Sequence, residues 1–177
     1  MEVKVTKVQN NSKNCIVCGL DNSLGLKAHF YETENGCVIA VCEGKEEHQS
    51  YPNRMHGGVI CALLDETVGR AIQIGNPQAW GVTGDLKIKY RKPVPLGKKI
   101  FCVGKVTRDL SRIFIAKGFV EDEEGNLLAE CEATYFKASV NTITGTNDFE
   151  QTEWFLDEKT PQYTSFDIKN MNFFDKV

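Results

Sequence analysis

The sequence predicts an α+β domain in which an antiparallel β-sheet wraps around one long central helix. Three observations lead there. Residues 59–74 hold no proline and carry apolar side chains around most of their circumference, which marks a buried helix rather than a surface one. Two β-type segments precede that stretch and at least three follow it. Finally, 177 residues with 25% charged side chains and no internal repeat describe one domain large enough to bury its own core. A single apolar helix among hairpin-connected strands is best buried by wrapping the sheet around it.

Taken in order, the chain opens M-E-V-K-V-T-K-V-Q-N-N, without an apolar stretch of signal-peptide length, and residues 1–14 read as an N-terminal extension. Residues 26–32 (L-K-A-H-F-Y-E) and 36–43 (G-C-V-I-A-V-C-E) read as strands. The intervening E-N-G is a hairpin turn, since Asn and Gly tolerate positive φ. A polar connector follows, punctuated by Pro52. The helix of 59–74 is stopped by Gly75-Asn76-Pro77. Residues 83–90 (T-G-D-L-K-I-K-Y) alternate as a strand, 98–108 form a long one, and 113–121 with 126–138 form a hairpin around E-D-E-E-G-N. The main domain is expected over residues 1–144. Residues 145–177 read as a C-terminal extension, with a short helix in 148–158 anchored by Trp154 and Phe155, and a tail whose Phe173 and Phe174 pack on a neighbour or fray.

A net charge of -3 offers no general attraction for nucleic acid or an anionic membrane, and no run reaches membrane-spanning length. Seven cysteines, an odd number without a secretion signal, are read as free thiols of a cytoplasmic protein. Cys37, Cys42, Cys61, Cys102 and Cys131 sit in apolar stretches as small hydrophobes. Cys15-x-x-Cys18 has the spacing of half a zinc site or of a redox pair. No second C-x-x-C or H-x-x-x-H supplies the other ligands, so the expectation is packed thiols in a tight turn, with no metal.

The chemistry concentrates in M-H-G-G-V-I-C-A-L-L-D-E-T-V-G-R, residues 55–70. Gly57 and Gly58 bring backbone amides to a helix start, where unpaired N–H groups and the helix dipole suit a carbonyl oxygen gaining negative charge. By itself a double glycine is better read as a tight entry into a packed helix. Glu66 has Arg70 four residues on, the favourable orientation for an ion pair. Asp65 has no such partner and lies among small or apolar neighbours, where a carboxylate is expensive to bury without a cavity, a partner chain or water. From the helix alone, a carboxylate bonded to backbone across an interface is an equal reading. The glycines and the acid together point to a site.

The segment H-G-G-V-I-C-A-L-L-D-E resembles the central helix of hotdog-fold acyl-CoA thioesterases, in particular the PaaI-like (phenylacetate-pathway type) branch. C-I-V-C-G-L-D-N-S-L-G-L at 15–26, H-Q-S-Y-P-N-R-M-H-G-G before the helix, and G-D-L-K-I-K-Y-R-K-P-V-P at 84–95 resemble other segments of that branch. The resemblance covers residues 15–138 and implies a hotdog fold acting as an acyl-CoA thioesterase. It further implies a homodimer, or a tetramer as a dimer of dimers, with sheets joined edge to edge and two sites at the interface. The carboxylate nine residues after the motif's His acts there as base or nucleophile, which is Asp65. An amide of the double glycine, Gly57 foremost, polarises the thioester carbonyl. Thr83 falls where relatives place a hydroxyl that positions water. Asn53 and Gln49 are both candidates for the polar residue of the preceding loop, and His56 orders the helix start. Coenzyme A enters as part of the substrate, and no metal or other cofactor is required.

Lys87, Lys89 and Arg91 alternate with Leu86, Ile88 and Tyr90, which makes one strand face basic. That face is read as solvated, with Arg91, Lys92 and Arg112 as candidate contacts to coenzyme A phosphates. Glu66, beside the site, is read as structural or supporting. His29 and His48 receive no role. The main rival is a hotdog protein that binds acyl-CoA without cleaving it. A hotdog hydratase, whose pattern pairs an Asp with a His, fits poorly because no His follows His56. The sequence leaves the acyl group open.

Overall fold

The computed structural model describes residues 1–175. The buried helix is α1, Gly57–Arg70, continued as a 3-10 turn over Ala71–Gln73. It starts two residues before the expected boundary. The reason is local: His56, in extended conformation, caps the helix by accepting the Gly58 amide on Nδ1 at 2.8 Å. Strands β1 (Glu2–Val8), β2 (Asn11–Ser12), β3 (His29–Thr33) and β4 (Val38–Glu43) precede the helix. Strands β5 (Gly81–Tyr90), β6 (Lys99–Asp109), β7 (Ile113–Asp122) and β8 (Leu127–Lys137) follow it. After them come α2 (Val140–Thr144), α3 (Phe149–Thr152), β9 (Trp154–Phe155) and β10 (Ser165–Asp167).

Eight strands form one sheet in the order β10-β1-β3-β4-β6-β7-β8-β5, and every pairing within it is antiparallel. Its concave face wraps α1, burying Leu63, Leu64 and Val68 against Phe30, Ile100, Phe114 and Val120. Under the helix, Gly104 of β6 faces Gly118 of β7. A Cβ on Gly104 would stand 2.9 Å from the Thr67 carbonyl oxygen and the Val68 Cα, so glycine sets the helix–sheet distance there.

Two departures from the sequence reading concern the ends. Residues 2–8 join the sheet as β1; the alternation Val3, Lys4, Val5 was the available signal. The helix expected over 148–158 is confined to α3. Trp154 and Phe155 turn extended and pair with β2, because the Trp154 ring packs edge-on to Trp80 and covers the Arg70 guanidinium at 4.5 Å. The tail packs on its own chain: Phe173 and Phe174 meet Phe119 with ring centroids 5.2 and 5.6 Å apart. Phe166, Ile168 and Met171 join Tyr31, Ile39 and Val103 in a second core on the sheet's outer face. Buried Glu121 holds this cover by accepting the amides of Lys169 and Asn170, both at 3.0 Å.

Candidate active site

Asp65 sits on the face of α1 turned to β5 and β8. Its Oδ1 accepts the Thr83 hydroxyl at 2.9 Å and the Tyr135 hydroxyl at 2.7 Å. The Tyr135 hydroxyl also lies 2.8 Å from the Asp65 main-chain oxygen. The carboxylate is therefore partnered, by hydroxyls from two strands rather than by a cation on its own helix. Among the described residues Oδ2 accepts no hydrogen bond, so one oxygen is oriented and the other is free. Burial and the Asp65 charge push the Tyr135 pKa well above its ordinary value, so the phenol stays a donor.

The backbone arranges this with two local devices. Strict alternation along β5 would turn Thr83 outward with Asp85 and Lys87. A bulge between Thr83 and Asp85 inserts one extra residue relative to β8 and turns Thr83 onto the helix, opposite Tyr135. Gly69, one turn after Asp65, leaves room for the Tyr135 ring: a Cβ there would stand 3.2 Å from it. Tyr135 itself is held flat on Phe114, with centroids 4.7 Å apart and planes at 9°. Tyr135 was not legible as a site residue from the sequence. Its signal was weak: the inward row Ala129, Cys131 and Ala133 is small, and Tyr135 ends it with a large, hydroxyl-tipped ring.

Asp65, Thr83 and Tyr135 line a cavity of about 310 Å³ that Trp80, Phe149 and Trp154 wall with aromatic rings. Glu66 faces the same cavity but is bound to Arg70, whose Nε donates to Oε1 at 2.9 Å. Arg70 is buried with its guanidinium 3.9 Å over the Phe30 ring and its Nη1 donating to the Asn10 carbonyl. Cys15 and Cys18 line this cavity too. Cys15 is brought down to about 7, first by its hydrogen bond with Cys18, and against the opposing effects of burial and Glu66. The same bond and burial push Cys18 the other way.

At the helix start the Gly58 amide is committed to His56, whereas the Gly57 amide donates to nothing among the described residues. Gly58, grouped with Gly57 in the sequence reading, thus serves the cap. Tyr90 fixes the spot by donating to the Gly57 carbonyl at 2.8 Å. A second cavity, about 520 Å³, opens over Gly57 between Tyr51, Arg54, Tyr90, Arg91 and Lys92. Asn53, at φ 62°, is exposed in the preceding loop, where its amide donates to the Gln49 side chain at 3.2 Å. His48, given no role by the sequence, is buried and accepts the Lys45 amide on Nδ1, while Nε2 lies 2.9 Å from the Leu24 carbonyl. It anchors the connector leading to the helix.

The predicted residues therefore fall in two places. Gly57 and Asp65 are eight residues apart on one helix, about 12 Å along its axis, too far for one carbonyl to touch both. Arg91 pairs with both Glu130 oxygens, and Lys92 donates to Asn126 at 2.7 Å. Arg112 is remote from them: Arg91 backs onto Leu128 and Arg112 onto Lys137, about 30 Å apart along β8.

The chain matches the model of the thioesterase superfamily over residues 53–129. It is 26% identical over 139 residues to acyl-coenzyme A thioesterase THEM4 of Mus musculus, covering 77% of this chain and 56% of that protein. With SSO2140 of Saccharolobus solfataricus it shares 30% identity over 104 residues, 58% of this chain and 73% of the other. The crystal structure of RHA08564, a thioesterase superfamily protein, superposes with a TM-score of 0.64 at 25% identity, covering 69% of this chain and 59% of that one. The chain belongs to the thioesterase superfamily, and its sheet-wrapped helix is the hotdog fold. It spans just over half the length of the curated THEM4 relatives it matches.

Proposed function

We propose that this protein is an acyl-CoA thioesterase of the PaaI-like branch, cleaving an acyl-CoA thioester to free acid and coenzyme A in the cytoplasm. One observation carries the reading: a carboxylate oriented by two hydroxyls, with its second oxygen free, faces an aromatic-walled cavity in a chain of this superfamily. Asp65 Oδ2 supplies the attacking oxygen, its own or that of a water it deprotonates. As the carbonyl oxygen gains charge, the Gly57 amide at the helix N-terminus stabilises it. The C–S bond then breaks and the coenzyme A thiolate leaves, taking a proton from Asp65 where water attacked. Where Asp65 itself attacked, a water then hydrolyses the acyl–Asp65 anhydride, releasing the free acid and the carboxylate. Thr83 and Tyr135 hold the carboxylate in place throughout. Hydrolysis by this route uses no metal. All seven cysteines are free, which fits a reducing compartment.

The two half-sites require a second copy of the chain. Strand β5 is an uncovered sheet edge ten residues long, the kind of edge that invites strand pairing. Tyr90, at one end of β5, touches Gly57; Thr83, near the other, touches Asp65. Two β5 strands pairing antiparallel about a two-fold near their middle bring the Gly57 cavity of one chain onto the Asp65 cavity of the other. Arg54, Arg91 and Lys92 then rim the Gly57 side, where the phosphates of coenzyme A would lie, and the aromatic walls receive the acyl group.

Subunit mixing tests this. Gly57→Pro removes the amide, Asp65→Asn removes the base, and each homodimer is expected to be inactive towards a panel of acyl-CoAs followed by thiol release. Refolded together, half the dimers carry one intact shared site, restoring about a quarter of wild-type turnover. No recovery from a mixture shown to contain heterodimers would refute the shared site.

A further inference from the structure

Cys15, Cys18 and Glu66 meet at the inner end of the cavity, and hydrolysis leaves all three without a task. One donor atom from each lies within 4.8 Å of the other two. Cys15 Sγ is 3.9 Å from Glu66 Oε2, although the residues are 51 positions apart in the chain. We propose that these three side chains form a binding site for a thiophilic divalent cation of the zinc(II) type, with its fourth coordination position open to the cavity beside Asp65.

Geometry supports it first. Two thiolates and a carboxylate oxygen around one tetrahedral zinc stand roughly 3.5–3.8 Å apart, given bonds of about 2.3 Å to sulfur and 2.0 Å to oxygen. The observed spacing needs only a small contraction. The Cys15–Cys18 turn is also built for sulfur ligands. The amides of Val17 and Cys18 donate to Cys15 Sγ at 3.3 and 3.5 Å, and the Ser12 amide donates to Cys18 Sγ at 3.4 Å. Such bonds stabilise thiolate charge, the form a metal binds. The turn closes through Gly19, whose amide donates to the Cys15 carbonyl at 2.8 Å, and a Cβ there would stand 2.3 Å from that oxygen.

Charge supports it second. Arg70 engages Glu66 through Oε1 alone, leaving Oε2 directed at the sulfurs. Two thiolates, one carboxylate and the Arg70 guanidinium sum to -2, which a divalent ion neutralises in a partly buried place. Binding displaces the two thiol protons to solvent, so the ion and protons compete for the sulfurs. Spacing alone argued against a metal because no further ligand lies near in sequence; the third ligand arrives on the central helix. A bound ion would tie the loop of residues 13–28 to α1, independently of carbonyl chemistry.

The test uses the full chain, stripped with a chelator under reducing conditions and titrated with cobalt(II), then reconstituted with zinc for elemental analysis. The wild type should bind about one ion per chain and show thiolate-to-cobalt charge transfer with tetrahedral visible bands. Cys61→Ser, a cysteine outside the cluster, should retain both signals. Cys15→Ser, at a half-buried position, should lose them while circular dichroism shows the variant folded. Cys18→Ser should do the same wherever circular dichroism shows it folded. Glu66→Gln should keep the charge-transfer band while binding at least about tenfold more weakly. A wild type without cobalt bands at one equivalent would overturn the proposal. So would bands that survive Cys15→Ser, or a Cys15–Cys18 disulfide in place of the ion. The readout is spectroscopic, so an inactive thioesterase that binds cobalt leaves the proposal standing, and an active one that binds none ends it.

Discussion

Replacing Gly57 by proline deletes one atom group from the proposed site, the amide N–H, and little else. The position suits the change. Gly57 is the first helical residue, where proline is favoured because the amide has no intrahelical partner. The preceding residue, His56, has ψ 137°, extended rather than helical backbone and inside the ψ range proline favours in its neighbour. A Cβ at this position would meet the Tyr90 ring at 3.5 Å, an ordinary contact. Stability should therefore hold, or rise by about 0.4–1 kcal/mol through the unfolded chain. Turnover should fall about 100- to 1,000-fold, the loss typical of removing one oxyanion donor, equal to roughly 2.7–4 kcal/mol of transition-state stabilisation. Steady-state thiol release gives kcat and KM, and a urea melt on the same preparation gives stability. A variant with unimpaired folding and turnover within a few-fold of wild type would remove Gly57 from the mechanism.

Tyr135→Phe keeps the stack on Phe114 but removes the donor to Asp65; kcat should fall about 10- to 100-fold with KM little changed, worth about 1.4–2.8 kcal/mol. The effect should shrink in an Asp65→Asn background, and an equal effect there would show that the hydroxyl acts elsewhere. Gly104→Ala drives a Cβ into the backbone of α1 and should cost about 1–3 kcal/mol or more in a denaturant melt; a neutral result would mean the helix–sheet distance is adjustable. The Arg91 guanidinium bonded to Glu130 holds that carboxyl below its ordinary 4.5. A depressed carboxyl stabilises the fold above the unfolded-state value and loses that contribution as pH falls through the folded value. Glu130→Gln should therefore flatten the stability–pH curve below about pH 4.5, and an unchanged acid slope would contradict the assignment.

Much of the fold was legible because its signals are periodic. The apolar circumference of α1 and most of the alternation along β5 to β8 follow from consecutive residues. The strand boundaries moved by one or two residues, while α1 ended at Arg70, four residues before the expected stop, with a 3-10 turn continuing to Gln73. The ends were less legible. β1 is largely exposed and its edge partner β10 lies far along the chain, while Trp154 was drawn out of a helix by Arg70 and Trp80. The site divides in the same way. Asp65 and Gly57 could be singled out because one is an acid on an apolar helix and the other sits at its start.

What surrounds them could not, because it depends on which strands meet. Consecutive residues alone dictate a helix with a carboxylate in its middle and two glycine amides at its head, since helical periodicity is a local property. Strand packing decided that Tyr135 and Thr83 hold that carboxylate, because a one-residue bulge reversed the facing of Thr83. It also decided that Glu66 turns to Cys15 and Cys18, which precede it by 51 and 48 positions. Such contacts join residues tens of positions apart, and no local pattern encodes the distance between them.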